Sequence, residues 1–168
     1  MNKPFVAILM GSDADYSVME STVESLKHLQ IPFEVKVTSA HRTPEATRDY
    51  VKDAEVRGCQ VFIAAAGLAA HLAGAVAATT VRPVIGVPIN AGPLQGFDAL
   101  LSTVQMPGGV PVACVAIGTA GAKNAAYLAA EILALKDEAL HSRLKHDRET
   151  NAIKLQQRDS ALKVKWST

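Results

Sequence analysis

The sequence predicts an α/β protein: a five-stranded parallel sheet covered by helices on both faces. Three observations lead there. Five short apolar runs alternate with segments of helical period. The runs are nearly unbroken by polar residues, as expected of strands buried on both sides. Gly, Pro, Ser, Thr and Asp stand at the junctions, where turns and helix caps belong.

Phe5 to Met10 is the first run, and Gly11-Ser12-Asp13-Ala14-Asp15 follows as a turn with capping residues. Met19, Val23, Leu26 and Leu29 then recur at helical spacing until Ile31-Pro32. Phe33 to Val37 read as a second strand. Thr43 and Pro44 open a helix as N-cap and first helical residue, and Gly58 closes it. Gln60 to Ala66 make the third strand, and Gly67 to Ala70 turn into an alanine-rich helix reaching about Thr80. Pro83 to Ile89 are the fourth strand, a loop covers Asn90 to Gly96, and a shorter helix spans Phe97 to Gln105. Pro107-Gly108-Gly109 breaks that helix. Val110 to Ile117 form the fifth strand, and Gly118 to Gly121 turn into a long helix from Ala122 to about Leu135. Right-handed crossovers and five strands favour the flavodoxin-like order 2-1-3-4-5, a three-layer doubly wound domain over residues 1–136. The stretch from Asp137 to Thr168 is rich in Lys, Arg, Glu and Gln with sparse apolar residues, which predicts a helical tail packing in an oligomer.

The bulk properties exclude several classes. Apolar residues make up 49% and charged residues 20%, so the chain is globular. Its net charge of +1 provides no general field for nucleic acid or anionic lipid. Val61 to Val81 carry no Asp, Glu, Lys or Arg, but Ala, Gly, Thr and His71 fill much of the stretch, which reads as strand plus helix and not as a membrane span. Cys59 and Cys114 lie in apolar runs with no partner motif, and no leader-like segment precedes the first strand. A reduced, cytoplasmic setting is expected.

Ligands of open α/β sheets bind outside the carboxyl ends of the strands. The unusual polar residues gather there: Ser12 and Asp15, then Ser39, His41 and Arg42, then His71. An Arg can grip a phosphate or carboxylate, and a His can move a proton near neutral pH. Each residue also has a plainer reading. Ser12 can simply cap a helix, Asp15 can sit in its first turn, His41 can be an exposed loop residue, and His71 a hydrogen-bonded core histidine. Convergence at one rim favours the functional reading of His41. Gly11, Gly67 and Gly118 let a ligand approach the backbone. The run Gly118 to Ala122 reads equally as an anion cradle or as close helix–strand packing. No third ligand has sensible spacing beside His41 and His71, so no metal is expected. GxGxxG, GxxxxGK[ST] and GxSxG are absent.

Longer motifs complete the pattern: Met10-Gly11-Ser12 with Asp15, Ser39 to Pro44, Ala69-Ala70-His71-Leu72, Val104 to Pro107, and Ala116-Ile117-Gly118 with Asn124-Ala125-Ala126. With these the sequence resembles the class I N5-carboxyaminoimidazole ribonucleotide mutases, the PurE proteins of purine biosynthesis. Related class II carboxylases typically carry Lys after the first His, so Arg42 and His71 favour the mutase. The resemblance implies an isomerase that shifts a carboxylate from an exocyclic nitrogen to ring carbon C4 of an aminoimidazole ribonucleotide, without cofactor or metal. It implies His41 as proton shuttle and His71 as a catalytic neighbour lining the ring and CO2 pocket. Ser12 and Arg42 would hold the 5′-phosphate, Asp15 the ribose hydroxyls, and Ser39 the carboxylate or the histidine. Gly11, Gly67 and Ala69 would border the substrate, and an octamer is implied. Direct carboxylation with CO2 and a non-catalytic nucleotide-sensing module are the competing readings.

Five positions depart from the family's common residues: Ala14 for Ser, Tyr16 for Trp, Leu68 for Gly, Ala73 for Pro, and Gln95 for Ser. Leu68 and Gln95 bear most on the pocket. A leucine there is expected to crowd it or to force the backbone aside.

Overall fold

The computed structural model describes residues 4–166, with side chains to residue 162. Five parallel strands run β1 (Phe5–Met10), β2 (Phe33–Val37), β3 (Cys59–Ala66), β4 (Val84–Pro88) and β5 (Ala113–Cys114). They lie in the order β2-β1-β3-β4-β5, the flavodoxin-like arrangement expected from the sequence. Six α-helices connect or follow them: α1 (Tyr16–His28), α2 (Pro44–Arg57), α3 (Leu72–Ala77), α4 (Phe97–Val104), α5 (Gly118–Ala134) and α6 (Glu138–Trp166).

β1 forms the middle of the site-bearing half of the sheet. All six of its residues are buried, and it pairs with β2 on one side and β3 on the other. Its odd-numbered residues Phe5, Ala7 and Leu9 join Val51 and Ala54 of α2 and Leu72 and Val76 of α3 in one apolar cluster around Phe62. The even-numbered residues point to the opposite face, as the strand pleat requires. Small residues bring α1 against α5: the Thr22 hydroxyl donates to the Ala122 carbonyl at 2.7 Å. At Gly86 the sheet comes very close to its cover, since a Cβ there would run into Thr103 Cγ2 and lie 2.9 Å from Val112 Cγ1.

Edge strand β2 is fastened to α2 by charge. Arg57 pairs with both Glu34 and Asp53, and the Tyr50 hydroxyl donates to Glu34 at 3.1 Å. The Arg57 hydrogen bond holds the Glu34 carboxyl below its usual range, and burial pushes the Tyr50 phenol up.

Three elements differ from the expectations above. β5 shrinks to two residues at the sheet edge; Pro111, with no N–H to give a ladder, bars its N-terminal side. α3 ends at Ala77, ahead of the β-branched run Thr79-Thr80-Val81, and Thr79 turns its hydroxyl back onto the Ala75 carbonyl. α5 starts at Gly118, four residues early, and Gly121 explains why a glycine run stands there: a Cβ would collide with the Ala116 backbone. Close packing therefore accounts for Gly121, while Gly118 takes a left-handed φ of +73° with room around it.

The chain divides into two compact units, one up to Ala129 and one from Ala130. Within the second, Asp137 caps α6 by accepting the Leu140 N–H at 2.9 Å, and Arg148 pairs with Glu131 at 3.0 Å. Residues 151–162 of α6 are exposed throughout.

Candidate active site

Ladder hydrogen bonds carry on past the strand ends and fix the loops above them. The Thr38 N–H donates to Met10 O at 2.9 Å, Gly11 N–H to Ala65 O at 3.0 Å, and Ile89 N–H to Ala66 O at 2.9 Å. The loops after β1, β2 and β3 therefore start from a common, rigid rim. Between them lies a cleft of about 430 Å³. All nine candidate residues line it: Gly11, Ser12, Asp15, Ser39, His41, Arg42, Gly67, Ala69 and His71. Gly118 does not line it.

The first loop is a capping box. The Ser12 hydroxyl accepts the Ala14 N–H at 3.2 Å, and the Asp15 carboxylate accepts the Ser12 N–H at 3.1 Å. The capping reading of Ser12 is thus correct as far as it goes, and the same residue faces the cleft. Asp15 is 8% exposed, and burial raises its carboxyl pKa above the ordinary value; Ser12 pulls the other way and Asp13 adds to the rise.

The second loop closes into a ring. Ser39 N–H donates to Thr43 Oγ1 at 3.0 Å, and that hydroxyl donates back to Ser39 O at 3.2 Å. The Arg42 N–H donates to Ser39 Oγ at 3.2 Å. Thr43 precedes α2 as expected but makes no side-chain cap; its hydroxyl ties the loop instead. Beneath it, Thr38 Oγ1 meets Thr47 Oγ1 at 2.7 Å and Thr43 Oγ1 at 3.3 Å, with Thr38 and Thr47 both buried. This threonine cluster was not singled out from the sequence. Its signal was there: Thr43, just before α2, and Thr47, in its first turns, stand four residues apart, and Thr38 directly follows β2.

Two contacts join the loops. Arg42 Nη2 donates to the Gly11 carbonyl at 3.1 Å, which leaves the rest of the guanidinium fork for an anion. His41 Nε2 lies 2.7 Å from His71 Nδ1, with the rings edge to face. His71 is exposed at the rim and not a core histidine. At a contact this short one nitrogen carries the proton and the other accepts it. Protonating His41 at Nε2 requires His71 to present a bare Nδ1, so the pair shares a single proton along that line. Such a pair can give a proton to one ligand atom and take one from another nearby.

Leu68 also lines the cleft, and its backbone is left-handed with φ +55°. The turn keeps a shape natural to glycine, and the leucine side chain is turned onto the neighbouring loop. Gln95 shares the left-handed conformation, with φ +50°, but lies outside the cleft lining. Ala73 is buried and Ala14 borders the cleft. Among the described residues, no group of three or more His, Cys, Asp or Glu could hold a metal ion.

The profile of the AIR carboxylase family matches residues 5–154. The chain belongs to the AIR carboxylase family. It is 52% identical over 147 residues to the N5-carboxyaminoimidazole ribonucleotide mutase of Bacillus subtilis, covering 88% of this chain and 91% of that one. To the mutase of Saccharolobus solfataricus it is 56% identical, covering 84% and 89%. The crystal structure of Treponema denticola PurE superposes with a TM-score of 0.86 at 34% identity, covering 96% of this chain and 99% of that one. Membership in the AIR carboxylase family fixes the fold; the cleft and its histidine pair bear on the chemistry.

Proposed function

We propose that this protein is an N5-carboxyaminoimidazole ribonucleotide mutase, an isomerase of purine biosynthesis. One observation supports the reading beyond family membership: His41 Nε2 lies 2.7 Å from His71 Nδ1 in the same cleft as the Arg42 guanidinium.

The reaction needs few groups. The exocyclic N–CO2 bond breaks, the nitrogen takes a proton from His41, and CO2 remains beside the ring. Ring carbon C4 attacks CO2 and forms the new C–C bond. His41 then takes the C4 proton and aromaticity returns. One proton leaves His41 and one comes back, so the reaction is a net isomerisation. His71 receives or supplies the hydrogen bond that each state of His41 demands. Arg42 and Ser12 hold the 5′-phosphate, and Asp15 accepts from the ribose hydroxyls. Ser39 positions His41 through the ring it closes with Thr43. Gly11, Gly67 and Ala69 bring backbone close to the substrate. The reading invokes neither cofactor nor metal.

Assembly as a homo-octamer in the cytoplasm belongs to the same proposal, with the helical tail from residue 137 used in packing; residues 167 and 168 of that stretch lie outside the described residues. The exposed apolar stripe of Phe97, Leu101 and Val104 on α4 supports such a contact. No helix among the described residues is long and apolar enough to cross a membrane.

A stopped-flow assay with fresh N5-carboxyaminoimidazole ribonucleotide tests the reading. Wild-type protein forms the C4-carboxylated product rapidly, and His41→Asn loses about 10²–10⁴-fold in rate while staying folded. A folded wild type that is inert with this substrate, yet carboxylates aminoimidazole ribonucleotide from bicarbonate, would replace the mutase by the direct carboxylase that the family description names.

A further inference from the structure

Leu68 and Leu72 are the large apolar residues of the cleft lining; its other apolar positions, such as Gly11, Ala40, Ala66 and Ala69, are small. The Leu68 φ of +55° is one that a branched residue rarely adopts, and such conformations persist only where their surroundings fix them. Here the surroundings are the loop after β4. Leu68 Cδ2 fills the space beside Gly92, where a Cβ would lie only 2.5 Å from it. Gly92 is itself left-handed, with φ +69°. One residue earlier, a Cβ on Gly67 would lie 3.0 Å from Ala91 Cβ. The segments 67–68 and 91–92 therefore interlock, and Ala91 is part of the cleft lining. Leu68 nonetheless stays 51% exposed, so part of it is left facing open space at the cleft.

We propose that Leu68 is the apolar seal of this site, closing the side of the cleft between the turn after β3 and the loop after β4. The proposal rests on the mutase reading above. CO2 released from the substrate nitrogen is small, uncharged and apolar. It is lost by escape into bulk water or by hydration, and both need an aqueous path away from the ring. A leucine wedged against Gly92 blocks that path with side chain, where a glycine at the same backbone conformation would leave it open. The left-handed backbone is the condition for placing the leucine there.

The test follows the migrating carbon. Substrate labelled with ¹⁴C in its N-carboxylate is turned over in excess unlabelled bicarbonate, and label retained in the C4-carboxylated product is counted. Wild-type enzyme and Leu68→Met retain it. Leu68→Gly, which suits the backbone and so folds, releases at least about threefold more label per turnover and accumulates aminoimidazole ribonucleotide, with KM changed less than about twofold. Retention by Leu68→Gly equal to wild type, or equal loss from Leu68→Met, would overturn the proposal and leave the mutase reading intact. An inert wild type would overturn both.

Discussion

The threonine cluster under the second loop gives the sharpest expectation about stability. Thr47 is 2% exposed; its hydroxyl lies 2.7 Å from Thr38 Oγ1 and donates to Thr43 O at 3.0 Å. With that proton used on its own helix, Thr47 Oγ1 is the acceptor for the Thr38 O–H. Thr47→Val keeps the shape and removes the acceptor. The Thr38 hydroxyl is then left with Thr43 Oγ1 at 3.3 Å, a weaker partner. Leaving a buried donor poorly satisfied costs about 1–3 kcal/mol. For a domain of this size that lowers the melting temperature by about 2–4 °C per kcal/mol, or roughly 2–12 °C. The double variant Thr38→Val/Thr47→Val removes both partners and comes out nearer neutral than the sum of the singles, because no hydroxyl is stranded. Urea unfolding of the four proteins measures the cycle, and kcat of each reports whether Ser39 to Arg42 have moved. Strict additivity, or a Thr47→Val cost below about 0.5 kcal/mol, would refute this account of the cluster.

Asp15 sets a pH dependence. Its carboxyl pKa is raised, chiefly by burial, so the folded state holds that proton more tightly than the unfolded chain. Its contribution to stability is therefore lost as pH climbs from the ordinary value of 3.8 through the raised one. Asp15→Asn gains on wild type across that window and keeps the gain at neutral pH while binding ribonucleotide less tightly; parallel stability curves would contradict it. Gly86→Ala drives a methyl into Thr103 and Val112 and lowers stability by about 1–3 kcal/mol, read as a lower urea midpoint at constant slope. An unchanged midpoint would mean the helix gives way more easily than the close contact suggests. Burial pushes the Cys59 thiol up to about 11, so thiol reagents modify it only as the protein unfolds; prompt labelling in native buffer would disprove this.

Hydrophobic pattern and punctuation located β1, β2 and α2 to the residue, because nothing tertiary competes with them there. β1 is apolar throughout, and Pro44 and the left-handed Gly58 bracket α2. The rim was legible for a topological reason: residues after successive parallel strands must meet at one end of the sheet. Hence Ser12, His41 and His71 share a cleft although far apart in sequence. What stayed hidden depends on distances between elements. The direct contact of His41 with His71, the bond from Arg42 to Gly11 and the threonine cluster are set by loop geometry that no local pattern encodes. β5 was overestimated because an apolar run resembles a strand whether or not a neighbour offers it a ladder. Leu68 was marked as a departure, but not as a residue that keeps a glycine's backbone and turns its side chain onto the next loop.

The position of β1 has a consequence for synthesis on the ribosome. It is made before either neighbour, and β3, its longer partner, begins at Cys59, roughly fifty residues later. At ordinary elongation rates of about 5–20 residues per second, the nascent chain carries this uncharged hexapeptide for roughly 3–10 s without the strand that will cover it. Phe5 to Met10 also has the composition that stacks into cross-β aggregates. The strand on which the cleft is founded is thus an aggregation-prone segment of the newborn chain until β3 has been made.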